Sequence, residues 1–544
     1  MKSESSVLRD FTVDRRVWLL SGVALIIGIG ATFLAVILLR LIALSTNLFY
    51  YHRFSLVFAS PARSPLGYWM VIVPVIGGLI VGLIARFGSD KIRGHGIPEA
   101  IEAILLYRAR IDPKIAILKP ISAAIAIGSG GPFGAEGPII MSGGALGSLI
   151  AQWIRLSDAE RTTLLVAGAA AGMSATFATP VAAILLAVEL LLFELRPRSL
   201  VPVAIASATA AILRGSLLGS GPLFRMPEIG GLDRLPFVVG ALLLGAVVGL
   251  IAAGMSRMMY AFEDFFESLP IHWMWWPALG GLGVGIGGLI FPRGLGVGYD
   301  NIAELLRGSV PFSLIVGILL AKSLMWAFSL GSGTSGGVLA PLLMIGGAAG
   351  AMAGRIGHAP SEMQAFWALI GMGAMLAGSL GVPLTAILFS LEITHCLPAL
   401  LPLTIGCVAS YLVTALLMPR SILTEKLSRR GYHLTREYGV DPLETVMVAD
   451  FMSPNSELDP ASEGTASPKA FTYADCTCRS AAELMATEGT AKLPVVDRKT
   501  GRINGEITLQ DLLKGRSRAL VRENERMRLA SHVNGSRGEP GGPS

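Results

Sequence analysis

Residues 128–147 read Gly-Ser-Gly-Gly-Pro-Phe-Gly-Ala-Glu-Gly-Pro-Ile-Ile-Met-Ser-Gly-Gly-Ala-Leu-Gly, and residues 331–350 read Gly-Ser-Gly-Thr-Ser-Gly-Gly-Val-Leu-Ala-Pro-Leu-Leu-Met-Ile-Gly-Gly-Ala-Ala-Gly. The second stretch is the first displaced by 203 positions. The same displacement pairs Lys119 with Lys322, Pro138 with Pro341, Met141 with Met344, Pro180 with Pro383 and Glu189 with Glu392. A register kept over so many positions marks a duplication rather than one recurring loop. In each copy apolar sequence runs into a glycine-rich break, and the proline beyond it suits the first turn of a new helix.

Composition sets the solvent. Of 544 residues 52% are hydrophobic, only 15% are charged, 65 are glycine, and the mean hydropathy is +0.62. Uncharged runs such as Val17 to Leu39 and Phe237 to Met255 cover a hydrocarbon core of roughly 30 Å at about 1.5 Å per helical residue. The stretches after Pro138 and Pro341 are rich in glycine and alanine, which suits close helix packing or partial spans. The expected fold is an all-α polytopic membrane protein built on a repeat with broken helices. Paired breaks of this kind mark a transport site near the bilayer midplane.

Basic residues orient the chain. Lys2, Arg9, Arg15 and Arg16 precede the first apolar run, so residues 1–16 read as a cytoplasmic segment. Arg93, Arg108, Arg110, Lys114, Arg196, Arg198, Arg420, Arg429 and Arg430 mark further cytoplasmic loops. The net charge of +6 is a topology signal, and without interleaved aromatics it does not point to nucleic acid. Trp273, Trp275 and Trp276 read as interfacial anchors. The cysteines, Cys396, Cys407, Cys476 and Cys478, have neither disulfide nor zinc spacing, and no cofactor is expected. The transmembrane part is read as residues 17–430, with repeats at about 90–220 and 293–420.

Beyond Met418 the sequence becomes charged and mixed. Residues 440–520 read as a small α/β cytoplasmic domain and residues 521–544 as a disordered tail. Within the domain a helix is expected over Ser480 to Glu488, a strand over Leu493 to Asp497, a turn at Lys499 to Gly501, a strand over Ile503 to Thr508 and a helix over Leu509 to Leu513.

The chemistry centres on Glu136, the one charge between Pro120 and Trp153. Burial favours its neutral form and a nearby positive end favours its charged form, so an intramembrane carboxylate is a functional residue by default. The helix N-terminus at Pro138 offers unpaired N–H groups and a partial positive charge, which suits an anion. Glu136 is itself an anion. Ionised, it occupies the donor cluster, and protonated, it leaves, which makes it both gate and proton carrier. The alternative is a carboxylate that merely caps the helix or pairs with Lys119. In the second copy the corresponding residue is Leu339, so that break presents N–H donors without a competing anion.

Gly94-His95-Gly96-Ile97-Pro98-Glu99, Gly134-Ala135-Glu136-Gly137-Pro138 and Gly337-Val338-Leu339-Ala340-Pro341 resemble, in order and spacing, three filter segments of the CLC family of chloride channels and proton-coupled chloride antiporters. The resemblance runs from about Val17 to Arg430 and implies a homodimer, inverted repeats and a chloride path lined by helix N-termini. It places Glu136 on the external gating glutamate. His95, Gly96, Ile97, Gly134, Ala135, Val338 and Leu339 fall on anion-binding positions. Where the family usually has a serine stands His95, where it has a phenylalanine stands Leu339, and where it has the pore tyrosine of the inner gate stands Leu423. Two hydroxyls around the anion are therefore missing. His95 can replace one by donating from a ring nitrogen, or its imidazole turns toward a helix end. Leu423 offers no donor.

Leu190 stands where many family antiporters carry an internal proton-transfer glutamate. Lys119 matches a family lysine and either draws anions electrostatically or, like Lys322, serves packing. The C-terminal pattern resembles a CBS module, which implies that Thr508 and Asp511 either contact an adenine nucleotide or belong to a nucleotide-free assembly unit. The resulting expectation is proton-coupled chloride antiport by a multi-pass protein of a bacterial inner membrane. A passive chloride channel is the alternative. An intramembrane enzyme or sensor is more distant, because the apolar segments carry no catalytic constellation.

Overall fold

The computed structural model describes residues 15–232, 234–308, 310–432, 441–444, 446–454, 470–498 and 500–517. Most of the expected cytoplasmic segment 1–16, the tail 521–544 and Lys499 of the expected turn lie outside them.

Among the described residues, nine helices are long and apolar enough to cross a membrane, and the chain is a multi-pass integral membrane protein. The first half holds α1 (Arg16–Tyr51), α2 (Ile72–Phe87), α3 (Ile97–Leu106), α4 (Pro113–Gly128), α5 (Glu136–Gln152), α6 (Asp158–Phe177), α7 (Pro180–Leu186) and α8 (Pro197–Leu218). The second holds α9 (Leu235–Glu267), α10 (Trp276–Ile290), α11 (Tyr299–Arg307), α12 (Phe312–Gly317), α13 (Ser323–Gly331), α14 (Leu339–Ile356), α15 (Ser361–Leu380), α16 (Pro383–Thr394) and α17 (Leu400–Leu417), and α18 (Ile422–Arg429) follows. Their packing is mirrored. Helices α5 and α6 pack as α14 and α15 do, and α1 lies on α6 and α8 as α9 lies on α15 and α17.

The halves meet through exchanged contacts between equivalent residues. A Cβ on Gly78 of α2 would stand 2.1 Å from the carbonyl oxygen of Pro277, and one on Gly281 of α10 would stand 2.2 Å from that of Pro74. Residues 74 and 277, like 78 and 281, are one repeat apart. Glu189, following α7, accepts from the amides of Leu384 and Thr385 at the start of α16, and Glu392 of α16 accepts from those of Val181 and Ala182 at the start of α7. Such reciprocity requires a two-fold axis between the copies. The repeat also reaches further toward the N-terminus than residue 90, since Pro74 and Gly78 take part.

The C-terminal unit is a four-stranded sheet of order β1-β4-β3-β2, with β1 (Ser453–Pro454), β2 (Thr472–Tyr473), β3 (Lys492–Val496) and β4 (Ile503–Thr508). Strands β2 and β3 are parallel, joined by α19 (Cys478–Glu488), and the other pairs are antiparallel. Apolar alternation buries Leu493, Val495 and Ile507 against Val448, Ala481, Met485 and Leu512. Residues 509–517 are helical.

Candidate ion-conduction site

Both breaks lie at the two-fold axis and hold each other. The N–H of Gly134 donates to the carbonyl of Gly337 at 3.1 Å and the N–H of Gly337 donates back to Gly134 at 2.8 Å, an antiparallel bridge between equivalent residues. A second exchanged set ties the loops before α3 and α11. Gly94 donates to the Gly333 carbonyl, and Gly296 donates to that of Gly130. Four helices therefore begin around one centre, α3 after Gly96, α5 after Ala135, α11 after Gly298 and α14 after Val338. Each first turn leaves N–H groups without intrahelical partners, so the centre is lined by donors and positive dipole ends. Ala135, Val338, Leu339 and Ile97 belong to these turns. Gly134 contributes differently than expected, because its amide is committed to the bridge; what it offers is room.

That room is taken by Glu136. A Cβ on Gly134 would stand 1.7 Å from Glu136 Oε2, and one on Gly337 would stand 2.7 Å from the same atom. Any side chain at either position would displace the carboxylate. Glu136 is fully buried, and among the described residues neither oxygen has a hydrogen-bond partner. The nearest amides, its own and that of Ala340 at the head of α14, approach without closing a bond of good geometry. The alternative of a Lys119 partner is excluded by geometry. Lys119 Nζ donates to the carbonyls of Ile92 and Gly94 at 2.8 and 2.7 Å. Lys322 Nζ does the same to Gly294 and Gly296 at 2.8 and 2.6 Å. Each lysine fastens the loop ahead of the short helix of its own repeat.

His95 sits in the first of those loops. Its carbonyl abuts Gly137, where a Cβ would lie 1.8 Å from the oxygen. The residue is 3% exposed, and neither ring nitrogen has a partner among the described residues. Both nitrogens are thus available to a ligand. Below His95, Glu99 of α3 is buried and binds Lys426 of α18 at 2.8 Å. Buried Leu423 stands on the same helix, whose start is held by the Tyr260 hydroxyl on the Ile422 carbonyl at 2.6 Å. Leu190 is buried beside Glu189, whose carboxylate is engaged at α16, so Glu189 serves the fold.

The structure gathers His95, Gly96, Ile97, Gly134, Ala135, Glu136, Val338 and Leu339 around one centre, and α18 brings Leu423 to α3. Thr508 and Asp511 lie in the separate C-terminal unit. There they form a reciprocal helix cap: Asp511 accepts from the Thr508 amide and hydroxyl at 3.1 and 2.6 Å, and the Asp511 amide donates to the hydroxyl. Sequence reasoning missed Glu99 with Lys426, and it missed Tyr299. The signal for Tyr299 was a register change of one residue, since Gly296-Val297-Gly298 matches Gly94-His95-Gly96 at a displacement of 202.

The voltage gated chloride channel family matches residues 76–415, well over half of the chain. A putative chloride channel protein, ClcB-like, of Ralstonia nicotianae is 28% identical over 379 residues, which cover 67% of this chain and 87% of that protein. An H(+)/Cl(-) exchange transporter, ClcA, of Salmonella agona is 31% identical over 365 residues, 64% of this chain and 75% of the relative. The fold is shared with the solved structure of a slow cyanobacterial Cl-/H+ antiporter, at a TM-score of 0.66 and 22% identity, over 77% of this chain and 99% of that one. With the family match running through both breaks and the loops that tie them, the chain belongs to the voltage gated chloride channel family, CLC.

Proposed function

We propose that this protein moves chloride across the membrane through the ring of helix N-termini, in exchange for protons, with Glu136 as gate and proton acceptor. The observation that carries the reading is one buried carboxylate without a hydrogen-bond partner among the described residues, lying among donors that suit an anion. Ionised, it competes with chloride for the donors. Protonated, it loses that attraction and leaves. Relatives named as exchange transporters and as chloride channels support transport rather than catalysis.

His95, with two unpartnered ring nitrogens, donates to the anion in place of the family's serine, alongside the amides of Ile97, Ala135, Val338 and Leu339. Lys119 acts on the site through the loop it holds. Leu423 forms an apolar inner gate. A passive channel is the second reading, favoured by Leu190 at the inner proton position. Further proposals are a homodimer and a CBS-like C-terminal unit that serves assembly, since Thr508 and Asp511 are engaged with each other as a helix cap.

Reconstitution tests the reading. Liposomes holding a chloride gradient at clamped voltage report external chloride and pH together. Uphill proton movement at a fixed ratio to chloride, lost in Glu136→Ala, supports exchange. Chloride flux without protons supports the channel, and no flux of either ion overturns both. His95→Ser shifts the preference among chloride, bromide and nitrate, and an unaltered order removes His95 from the path.

A further inference from the structure

Arg93 opens the loop that Lys119 holds, and a cation stands there in only one of the two repeats. At the displacement of 202 that aligns Gly94-His95-Gly96 with Gly296-Val297-Gly298, the counterpart of Arg93 is Leu295. The two side chains occupy equivalent places. A Cβ on Gly333 would stand 2.9 Å from a terminal guanidinium nitrogen of Arg93, and one on Gly130, the equivalent glycine, would stand 3.3 Å from Leu295 Cδ2. The same two pairs of loops exchange the bonds from Gly94 to Gly333 and from Gly296 to Gly130. Leu295 is buried in an apolar cluster with Tyr50, Met70 and Val73. An uncharged side chain therefore suffices to pack this place in the fold, and the charge at residue 93 is surplus to packing.

The guanidinium is carried by rings instead of carboxylates. Its carbon lies 4.7 Å from the centre of the Trp273 ring and 5.5 Å from that of Trp276, so two of the three tryptophans expected as interfacial anchors hold a cation. Its Nε is buried and has no hydrogen-bond partner among the described residues. The neighbouring cations are committed. Lys426, whose Nζ lies 2.6 Å from where a Cβ on Gly94 would stand, binds Glu99 at 2.8 Å. Arg430 pairs with Glu99 and Glu102, and Arg429 with Asp264. The carboxylates that act on Arg93 are Glu263, Asp90 and Glu267, and none of them forms an ion pair with it among the described residues. A guanidinium stays charged at any pH the protein meets. The fold thus leaves one permanent positive charge without a paired anion beside the central loops.

The concentration of Arg93, Lys426, Arg429 and Arg430 assigns this end of the path to the cytoplasm. Two residues beyond Arg93 stands His95, with both ring nitrogens unpartnered among the described residues. We infer that Arg93 is the inner docking residue for the transported ion, a guanidinium held on two tryptophan rings that draws a small monovalent anion from the cytoplasm and passes it to the loop of His95. With Leu295 at the equivalent place of the other repeat, the assistance is confined to one side of the membrane. The inference rests on the reading of anion transport through this centre.

The test is radiochloride uptake at clamped voltage into inverted and right-side-out membrane vesicles, which chloride enters from the cytoplasmic and the outer face respectively, for the unaltered protein, Arg93→Leu and Arg93→Lys. Arg93→Leu, which copies Leu295, raises the cytoplasmic chloride concentration for half-maximal uptake about threefold to tenfold. It leaves the outer concentration and the melting temperature in detergent unchanged. Arg93→Lys keeps most of the affinity, and an impermeant salt that shortens the Debye length brings the unaltered and leucine proteins together. Equal half-saturation in the unaltered protein and Arg93→Leu, an equal rise from both faces, or a lysine variant as impaired as the leucine one overturns the docking role. A lowered melting temperature in both variants with that last result makes Arg93 a brace for the turn at Trp273 to Trp276 instead. Should Arg93→Leu fail to fold, Arg93→Gln takes its place in the same comparison. No chloride uptake by the unaltered protein overturns the transport reading and the inference with it, whereas uptake by every variant with unmoved half-saturation overturns the role of Arg93 alone.

Discussion

The breaks at Glu136 and at Leu339 have the same backbone and opposite chemistry. Each follows a glycine-rich loop, starts a helix with a proline two residues into its first turn, and donates one hydrogen bond to the other across the axis. Only the first places a carboxylate among the helix ends. What is symmetric, the bridge, the lysine ties at Lys119 and Lys322 and the crossed caps at Glu189 and Glu392, builds the scaffold. What breaks the symmetry is Glu136 against Leu339 and His95 against Val297. A buried polar group that recurs in both copies is a fold device, and one that occurs in a single copy is a candidate for function.

The comparison is most exposed to failure at the breaks. Glu136→Gln is expected to abolish the pH dependence of chloride flux, and Leu339→Gln to preserve it; a pH profile of liposome efflux for both decides whether the difference between copies matters. The lysines come next. Lys119→Met and Lys322→Met each strand two buried carbonyls, and each is expected to destabilise the protein by about 2–4 kcal/mol, read as lower melting temperature in detergent. A variant of Lys119 that melts normally but changes anion flux would assign it to the path instead.

For the crossed caps the expected losses are smaller and equal. Glu189→Gln and Glu392→Gln each cost about 1–2 kcal/mol, and Glu189→Gln leaves the proton-to-chloride ratio unchanged. A changed ratio would make Glu189 the inner proton carrier and break its equivalence with Glu392. The smallest effect belongs to the C-terminal unit, which lies outside the symmetry. Thr508→Ala is expected to destabilise that unit by about 1 kcal/mol, measured by hydrogen exchange of its sheet amides. Burial pushes the Asp511 carboxyl up, but bonds from Lys514 and Thr508 outweigh it and hold the group below its usual value. Its contribution is therefore complete above the unfolded-state value and is lost as pH falls through the folded one, so exchange should accelerate in acid.

Much of this was legible in the chain itself. Hydropathy and glycine content require a membrane fold, because apolar runs of that length have no other stable solvent. The 203-residue displacement identifies which residues correspond, and Glu136 stands out because no other charge occurs near it. Displacement says nothing about the symmetry operation. That Gly134 binds Gly337, that Glu189 caps the helix of the other copy while Glu392 caps the helix of the first, and that Lys119 holds carbonyls instead of the carboxylate all depend on contacts between helices far apart in sequence. The same holds for Tyr299, an ordinary interfacial tyrosine by composition. Only tertiary packing, of α11 on α14 and α15, leaves its hydroxyl buried and without a partner among the described residues, because a hydrogen bond is a property of two placed groups and a sequence names just one of them.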